Sequence, residues 1–558
     1  MSAIRVALAQ INPVVGRLRY NTEKVLSFVE KAKRARADLV SFPELGICGY
    51  PPGGLLLKES FIEDSLKALN HIVRNVSGII VILGCLDKDE ENNIYNSAAV
   101  IKNGKLITCC HKSELSVCGG FDEKIYFKKG AGTCIFSLNG IPFGVNICKG
   151  GLAEEQCRKG AKLIFQISAS AYNMDETGLR RRSIKKEAKK SNLHVCFNNM
   201  VGGQDELVFD GGSFVLDSKG REVACAKQFE EALVVCDLDI EPLIRKRKDC
   251  VNLGNLKTVR KPAISSGKFR QLDHAAEIYS VLVLGTGDYI RKNGFRKAVV
   301  GLSGGIDSSL TALVACDALG NKNLVGVSMP SQYSSCETQK DAEILAKNLG
   351  IKFIRIPIND MFESYLTGLR REFQGRKVDT AEENIQARIR GSILMSLSNK
   401  FGWLVLATGN KSEISCGYCT LYGDLAGGFS VLGDVYKTRV YELAEFRNRE
   451  DKIIPESVFV RAPTAELRPG QADRDSLPPY PVLDEILKCY LEDRKSCREI
   501  TEDRRFSSRT VARVINMVNK SEYKRRQSPA GVNIVPGQPG ERMPITNGYH
   551  IGEKNGIR

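Results

Sequence analysis

KAVVGLSGGIDSSLTALV, residues Lys297–Val314, decides how the second half of this chain folds. An apolar run leads into a Ser-Gly-Gly turn, and a stretch with helical periodicity follows at once. The two glycines let the backbone approach an anion closely. The amides and the hydroxyls of Ser303, Ser308 and Ser309 can donate to that anion at the positive end of a helix. No Gly-Lys-Ser/Thr follows, so this is not the loop that cradles a transferable terminal phosphate. The bland alternative is a glycine-rich turn that binds nothing. Downstream the alternation repeats, with strands at Asn323–Ser328, Lys352–Pro357 and Trp403–Ala407 and helices at Cys336–Leu349 and Ala381–Lys400. Strand–helix alternation of this kind predicts a doubly wound parallel sheet, a Rossmann-like α/β domain.

Upstream the texture changes. Short apolar runs at Ile4–Ala9, Leu39–Phe42, Ile79–Leu83, Ala98–Ile101, Ile141–Ile147, Leu163–Ile167, Val195–Asn198 and Leu233–Leu238 read as strands. Tyr20–Ala35, Phe61–Val76 and Arg180–Ser191 read as helices, which makes a layered α/β domain rich in sheet. The polar, basic stretch from 253 to 272 reads as a linker, giving domains over 1–252 and 273–558. The first contains Glu44, Lys112 and Cys148 at strand ends. A thiol needs a base to ionise it, and a cation can stabilise an oxyanion, so such a set is capable of acyl transfer without histidine. Chance placement explains any one of the three, since Cys148 is one of 18 cysteines.

At 558 residues the chain is too long for one core. No run of about eighteen apolar residues is present and Met1–Pro13 does not read as a secretory leader, so the expectation is a cytoplasmic protein with no membrane partner. The cysteines are scattered, which suits small buried hydrophobes kept reduced. A formal charge of +16 permits polyanion partners. The densest basic run, within Arg180–Lys190, is expected to be a solvated helix face rather than a nucleic-acid patch.

The loop Ser303–Ser309 resembles that of the N-type ATP pyrophosphatases, which split ATP into AMP and pyrophosphate. Glu382–Arg390, Thr408–Glu413, Gly417–Asp424, Pro463–Leu467, Gln471–Asp475, Lys524–Gln527 and Pro544–Asn547 are similar to the ordered signature blocks of NAD synthetases. The resemblance implies that deamido-NAD, ATP and ammonia are converted to NAD through an adenylate. It implies an ATP site formed by Gly301, Leu302, Ser303, Gly304, Gly305, Ile306, Asp307, Ser308, Ser309, Arg388, Thr408, Lys437 and Thr464. It places deamido-NAD on Asn384, Glu413 and Lys524, and Mg2+ on Asp307 and Glu413.

In the first half FPELGICGYPP, HKSEL, FDEKIYF, GVNIC and Asn199–Ser213 resemble the nitrilase-type amidase domain of glutamine-dependent NAD synthetases, an α-β-β-α sandwich. That resemblance makes Glu44 the general base, Lys112 the oxyanion partner and Cys148 the nucleophile. Glutamine is expected near Cys118, Ser170 and Tyr172, its ammonia reaching the synthetase internally, in a homo-oligomer without a nucleic-acid partner. Three departures from the family pattern stand out: Lys149-Gly150 stands for Glu-Asp, Cys118 for Tyr, and Ala171 for Pro. They leave open an ammonia-dependent synthetase with an impaired amidase. A tRNA-modifying pyrophosphatase using Cys416 and Cys419 is the other rival.

Overall fold

The computed structural model describes residues 2–535, except 119, 149–151, 175, 243–249, 256–260, 263, 265–271 and 503–504. Two compact units meet at Leu272/Asp273. In the first, a six-stranded sheet runs in the order Ala232–Ile240, Ser2–Gln10, Leu39–Ser41, Ile80–Lys88, Ile94–Lys102, Lys105–His111. Its centre is parallel and its outer pairs antiparallel. The second sheet has seven strands, in the order Glu222–Cys225, Phe214–Leu216, His194–Asn199, Leu163–Ser168, Ile141–Ile147, Cys134–Leu138, Val251–Asn252.

Side chains alternate across each strand, so a strand buried on both faces must be apolar throughout. Ile4, Val6 and Leu8 turn toward the second sheet and pack in one cluster with Phe143, Phe165 and Ile167. Ala7 and Ala9 turn the other way, into a cluster with Val25 and Val29 of the helix Leu18–Arg34 and Leu69 and Ile72 of Glu59–Asn75. Ile184 and Ala188, on Glu176–Ser191, close the far face of the second sheet. The result is the expected α-β-β-α sandwich.

The second unit has five parallel strands in the order Lys352–Arg355, Leu324–Ser328, Ala298–Gly301, Leu404–Ala407, Phe429–Ser430. Numbered along the chain this is 3-2-1-4-5, the doubly wound order, with its reversal beside the first strand. That strand is the one that feeds the Ser-Gly-Gly turn. The helices Tyr480–Leu491, Cys497–Glu502 and Ser508–Lys520 form a separate apolar cluster around Leu483, Leu487, Val514 and Ile515.

One stretch differs from the sequence reading. The linker was expected from residue 253, but Val251–Asn252 pairs with Phe136 and Ser137, Leu253 is buried, and its N–H donates to Ser137 O at 2.8 Å. Arg5 Nη2 also reaches Pro262 O at 2.7 Å, so backbone polar groups of this stretch find partners in the first unit. Beyond Ser528, Gly531 bridges to Ser430, and the N–H groups of Ile534 and Val535 both donate to Asp434, which ties this end to the second unit. Pro544–Asn547 lies outside the described residues.

One close approach positions the first site. The strand Ile80–Lys88 passes so near Glu44 that a Cβ on Gly84 would lie 2.2 Å from Pro43 O and 2.5 Å from Leu45 N. Nothing there is a flexible side-chain end that could yield. Gly84→Ala is therefore expected to cost about 1–3 kcal/mol of stability, read as a lower denaturation midpoint by circular dichroism. Gly54→Ala is the matched control, because nothing lies within 4 Å of a Cβ at Gly54, and it should be neutral.

Candidate active sites

Glu44, Lys112 and Glu123 lie in the first unit with relative exposures of 1%, 2% and 0%. Lys112 Nζ donates to Glu44 Oε1 at 2.6 Å and to Glu123 Oε1 at 2.9 Å. Asn96 Nδ2 bridges the same two oxygens at 2.7 and 3.1 Å, while the Ala169 N–H donates to Glu44 Oε2 at 3.0 Å. The Ser116 N–H and hydroxyl donate to Glu123 Oε2. Burial opposes the charge on Lys112, but Glu44, Cys148 and Glu123 outweigh it and raise its pKa. Lys112 is thus held as an ammonium beside two carboxylates. Burial and the neighbouring Glu44 push the Glu123 carboxyl up.

Cys148 ends the strand Ile141–Ile147 with φ +55°, in the left-handed region that costs a non-glycine residue energy. Its backbone is tied to the adjacent strand, through its N–H to Ile167 O at 2.8 Å and its carbonyl accepting from Gln166 Nε2 at 3.0 Å. Cys148, Glu44 and Cys118 interact electrostatically. Glu123 was not named from the sequence, although it sits in the quoted FDEKIYF block; its spacing of 11 residues from Lys112 is the only signal.

Of the residues expected near glutamine, Cys118 lies in the two-stranded ribbon of Val117–Cys118 and Phe121–Asp122, and burial, then Glu44, push its thiol up to about 12. Ser170 shares a hydroxyl contact of 2.6 Å with Ser168. Tyr172 is buried, its N–H donating to Val208 O at 2.7 Å. Lys149 and Gly150 lie outside the described residues. The basic run is not a wholly solvated face: Arg180 Nη2 meets both oxygens of buried Asp210 at 2.8 Å, and Arg181 stacks over Phe214.

In the second unit a cavity of about 310 Å3 opens over the Ser-Gly-Gly turn. Gly301, Leu302, Ser303, Gly304, Gly305, Ile306, Asp307, Ser308, Thr408, Glu413, Lys437 and Thr464 all line it. Gly304 has φ +82°, and a Cβ there would fall 2.1 Å from Thr338 O, so both backbone freedom and space demand glycine. Ser308 and Ser309 hydroxyls donate to Gly305 O at 3.0 and 2.8 Å, bracing the start of the helix Ile306–Leu319. Ser309, Arg388, Asn384 and Lys524 are not among the lining residues. Arg388 is exposed and donates to Leu421 O at 3.3 Å, Asn384 accepts from Thr420 Oγ1 at 2.6 Å, and Lys524 Nζ donates to Gly417 O and Cys419 O at 2.7 and 2.8 Å.

Lys437, 2% exposed, donates to Asp307 Oδ2 and to Glu413 Oε1, the latter at 3.2 Å. Asn410 Nδ2 adds a bond to Asp307 Oδ1 at 2.9 Å. Burial first, then Asp307 and Asp473, push the Glu413 carboxyl up to about 7 against the pull of Lys437. Asp473 and Tyr480, joined at 2.7 Å, complete this acidic end and were not assigned from sequence; Asp473 does lie inside the quoted Gln471–Asp475 block. Arg390 and Arg461, also unassigned, line the same cavity. Cys416 and Cys419 belong to a different setting: burial pushes both thiols up to about 12, which disfavours the thiolates a sulfur-transfer enzyme needs.

Comparison with known proteins gives a family match for each unit. Residues 5–248 match the carbon-nitrogen hydrolase family and residues 278–528 match NAD synthase. The glutamine-dependent NAD(+) synthetase of Thermotoga maritima is 44% identical over 575 residues, covering 98% of this chain and 99% of its own length. That of Aquifex aeolicus is 41% identical, covering 98% of this chain and 100% of its own. The glutamine-dependent NAD+ synthetase of Acinetobacter baumannii, solved with ADP, superposes with a TM-score of 0.76 at 38% identity, covering 99% and 100% of the two chains. With identity at this level sustained through both units, the chain belongs to the family of glutamine-dependent NAD(+) synthetases.

Proposed function

We propose that the chain makes NAD by ATP-dependent amidation of deamido-NAD, using ammonia released from glutamine in the first unit. One observation carries the reading. A single chain holds a buried Glu44–Lys112–Glu123 array with a thiol among its charged neighbours, and also a Ser-Gly-Gly loop lining a cavity with Asp307, Glu413 and Lys437.

In the first unit Cys148 is the nucleophile and Glu44 takes the thiol proton. The thiolate adds to the glutamine side-chain carbonyl, and Lys112 faces the oxyanion that forms. Glu44 passes that proton to the departing nitrogen, so ammonia leaves as the thioester forms; Glu44, again a base, then deprotonates the water that releases glutamate and returns the proton to the Cys148 sulfur. Glu123 holds Lys112 charged and in place. In the second unit the nicotinate carboxylate attacks the α-phosphorus of ATP and pyrophosphate leaves onto the amides and hydroxyls of Ser303–Ser308. Ammonia then displaces AMP from the acyl adenylate. Thr408, Thr464 and Lys437 align the ATP, much of the work being placement of charge. Asn384 and Lys524 are assigned to deamido-NAD, and Ser170 and Tyr172 to glutamine, on family resemblance.

Asp307 and Glu413 fit Mg2+. They offer hard oxygens, and burial, with Asp307 and Asp473 nearby, pushes the Glu413 carboxyl up despite Lys437. Among the described residues no group of three or more candidate ligands is arranged to hold a metal alone. That suits an ion whose remaining positions are filled by phosphate oxygens and water. Such an ion would neutralise charge on the departing pyrophosphate.

Cys148→Ala is expected to lower glutamine-supported NAD formation by at least about 1000-fold and to leave ammonium-supported formation within about twofold. Equal loss with both nitrogen sources would overturn the division of labour. The same assay on the unaltered enzyme bears on the ammonia-dependent alternative, which the departure at Cys118 favours: that reading holds only if glutamine fails to support turnover.

Glu413 supplies a second test. Its carboxyl is neutral below about pH 7 and ionised above it, and only the ionised form pairs with a cation. At constant free ammonia, kcat/KM for ATP should therefore fall on the acid side of about pH 7, by up to about tenfold per pH unit. Glu413→Gln should flatten that limb and lower the plateau roughly 100-fold. Asp307→Asn should lower turnover by a similar factor with either nitrogen source, partly restored by excess magnesium. An unaltered acid limb in Glu413→Gln would remove this residue from the site.

A further inference from the structure

We infer that Asn199, locked in one orientation by the buried Asp210–Arg180 pair, is a positioning residue for the thiol chemistry of the first unit. This inference rests on the assignment of glutamine hydrolysis to Cys148 and Glu44. Both of those residues are tied to one stretch of chain. Cys148 is bonded through its backbone to Gln166 and Ile167, while Glu44 Oε2 accepts from the Ala169 N–H at 3.0 Å. Where residues 166–170 sit therefore helps to set where base and nucleophile sit relative to each other.

The far end of that stretch is clamped by one side chain. Asn199 Oδ1 accepts from the Ser170 N–H at 2.9 Å, and Asn199 Nδ2 donates back to Ser170 O at 3.2 Å. A primary amide can be turned over, exchanging donor for acceptor, at little steric cost. Here it cannot be. Nδ2 also donates to Asp210 Oδ1 at 3.0 Å and to Gly211 O at 3.2 Å, both of which only accept. Asp210 is 0% exposed, Arg180 Nη2 donates to both of its oxygens at 2.8 Å, and Thr177 Oγ1 donates to Oδ2 at 3.3 Å. With both Asp210 oxygens held as acceptors, Asn199 Nδ2 is fixed toward Asp210 and Asn199 Oδ1 is left facing Ser170. The chain of contacts runs Arg180–Asp210–Asn199–Ser170, and the neighbouring Ala169 passes it to Glu44. It also gives Arg180 a function that the basic run alone does not suggest.

Isosteric exchanges test this in the full-length enzyme. Asn199→Asp sets carboxylate against carboxylate and should lower glutamine-supported kcat by about 100-fold, the scale of a misplaced reacting group. KM for glutamine should stay within about threefold, and ammonium-supported turnover should not change. Asp210→Asn frees the Asn199 amide to turn and should cost about tenfold in the same kcat. The double exchange Asn199→Asp with Asp210→Asn restores a complementary donor and acceptor, and should recover at least about tenfold over Asn199→Asp alone. A residue that served only the stability of the fold would not give a kcat loss with KM retained, nor recovery on the swap. Circular dichroism checks folding; if Asn199→Asp does not fold, Asp210→Asn and the double exchange decide. Retention of glutamine kcat within twofold in folded Asn199→Asp or Asp210→Asn, or no recovery in the double, would overturn the inference. Cys148→Ala separates the two readings: if it keeps glutamine activity the underlying assignment fails, and if it loses activity while the Asn199 and Asp210 variants do not, only this inference fails.

Discussion

Lys112 carries a positive charge where water scarcely reaches, and the first unit is arranged around answering it. Glu44 and Glu123 bracket the ammonium, and Asn96, Ser116 and the Ala169 amide occupy carboxylate oxygens that would otherwise be stranded. Leaving one charge of such a buried set without its partner costs about 3–5 kcal/mol, whereas the complete set can be close to neutral in stability. An array of this kind is weak evidence for stability. Its value is that the charges are already desolvated and oriented, so little has to reorganise as an oxyanion develops.

The second unit also sets a buried lysine between carboxylates. Asp307 and Glu413 bracket Lys437 while Asp473 acts on Glu413, so carboxylates again outnumber ammonium. The imbalance is tolerable because the carboxyl of Glu413 can take a proton near pH 7, or because a substrate-borne cation can take the proton's place.

Backbone geometry holds both arrays in register. Gly84 lets a strand pass against Glu44, Gly304 lets the phosphate loop press on Thr338, and Cys148 is held at a strained φ by bonds to its neighbouring strand. In each place a side chain or a relaxed dihedral would move a functional group. Between the two sheets of the first unit Phe143 is set between Phe136 and Phe165 at centroid distances of 5.4 and 5.6 Å.

What the sequence determined by itself is local. Period-two apolar runs and helical runs sufficed for the layered first half and the doubly wound second half, because strand alternation and helix amphipathicity act between neighbours in the chain. The Ser-Gly-Gly turn was legible for the same reason, its donors and its helix being contiguous. Family resemblance supplied Glu44, Lys112 and Cys148 as candidates. Only the tertiary structure showed which charges meet. Lys112 lies 68 residues from Glu44, Ala169 lies 125 from Glu44, and Lys437 lies 130 from Asp307. Glu123, Asp473 and Arg180 looked like ordinary surface charges in a chain full of them, since a carboxylate's role depends on burial and on what stands opposite, neither of which spacing encodes. The same applies to Val251–Asn252, too short a run to read as a strand, which joins the sheet by pairing with Phe136 and Ser137.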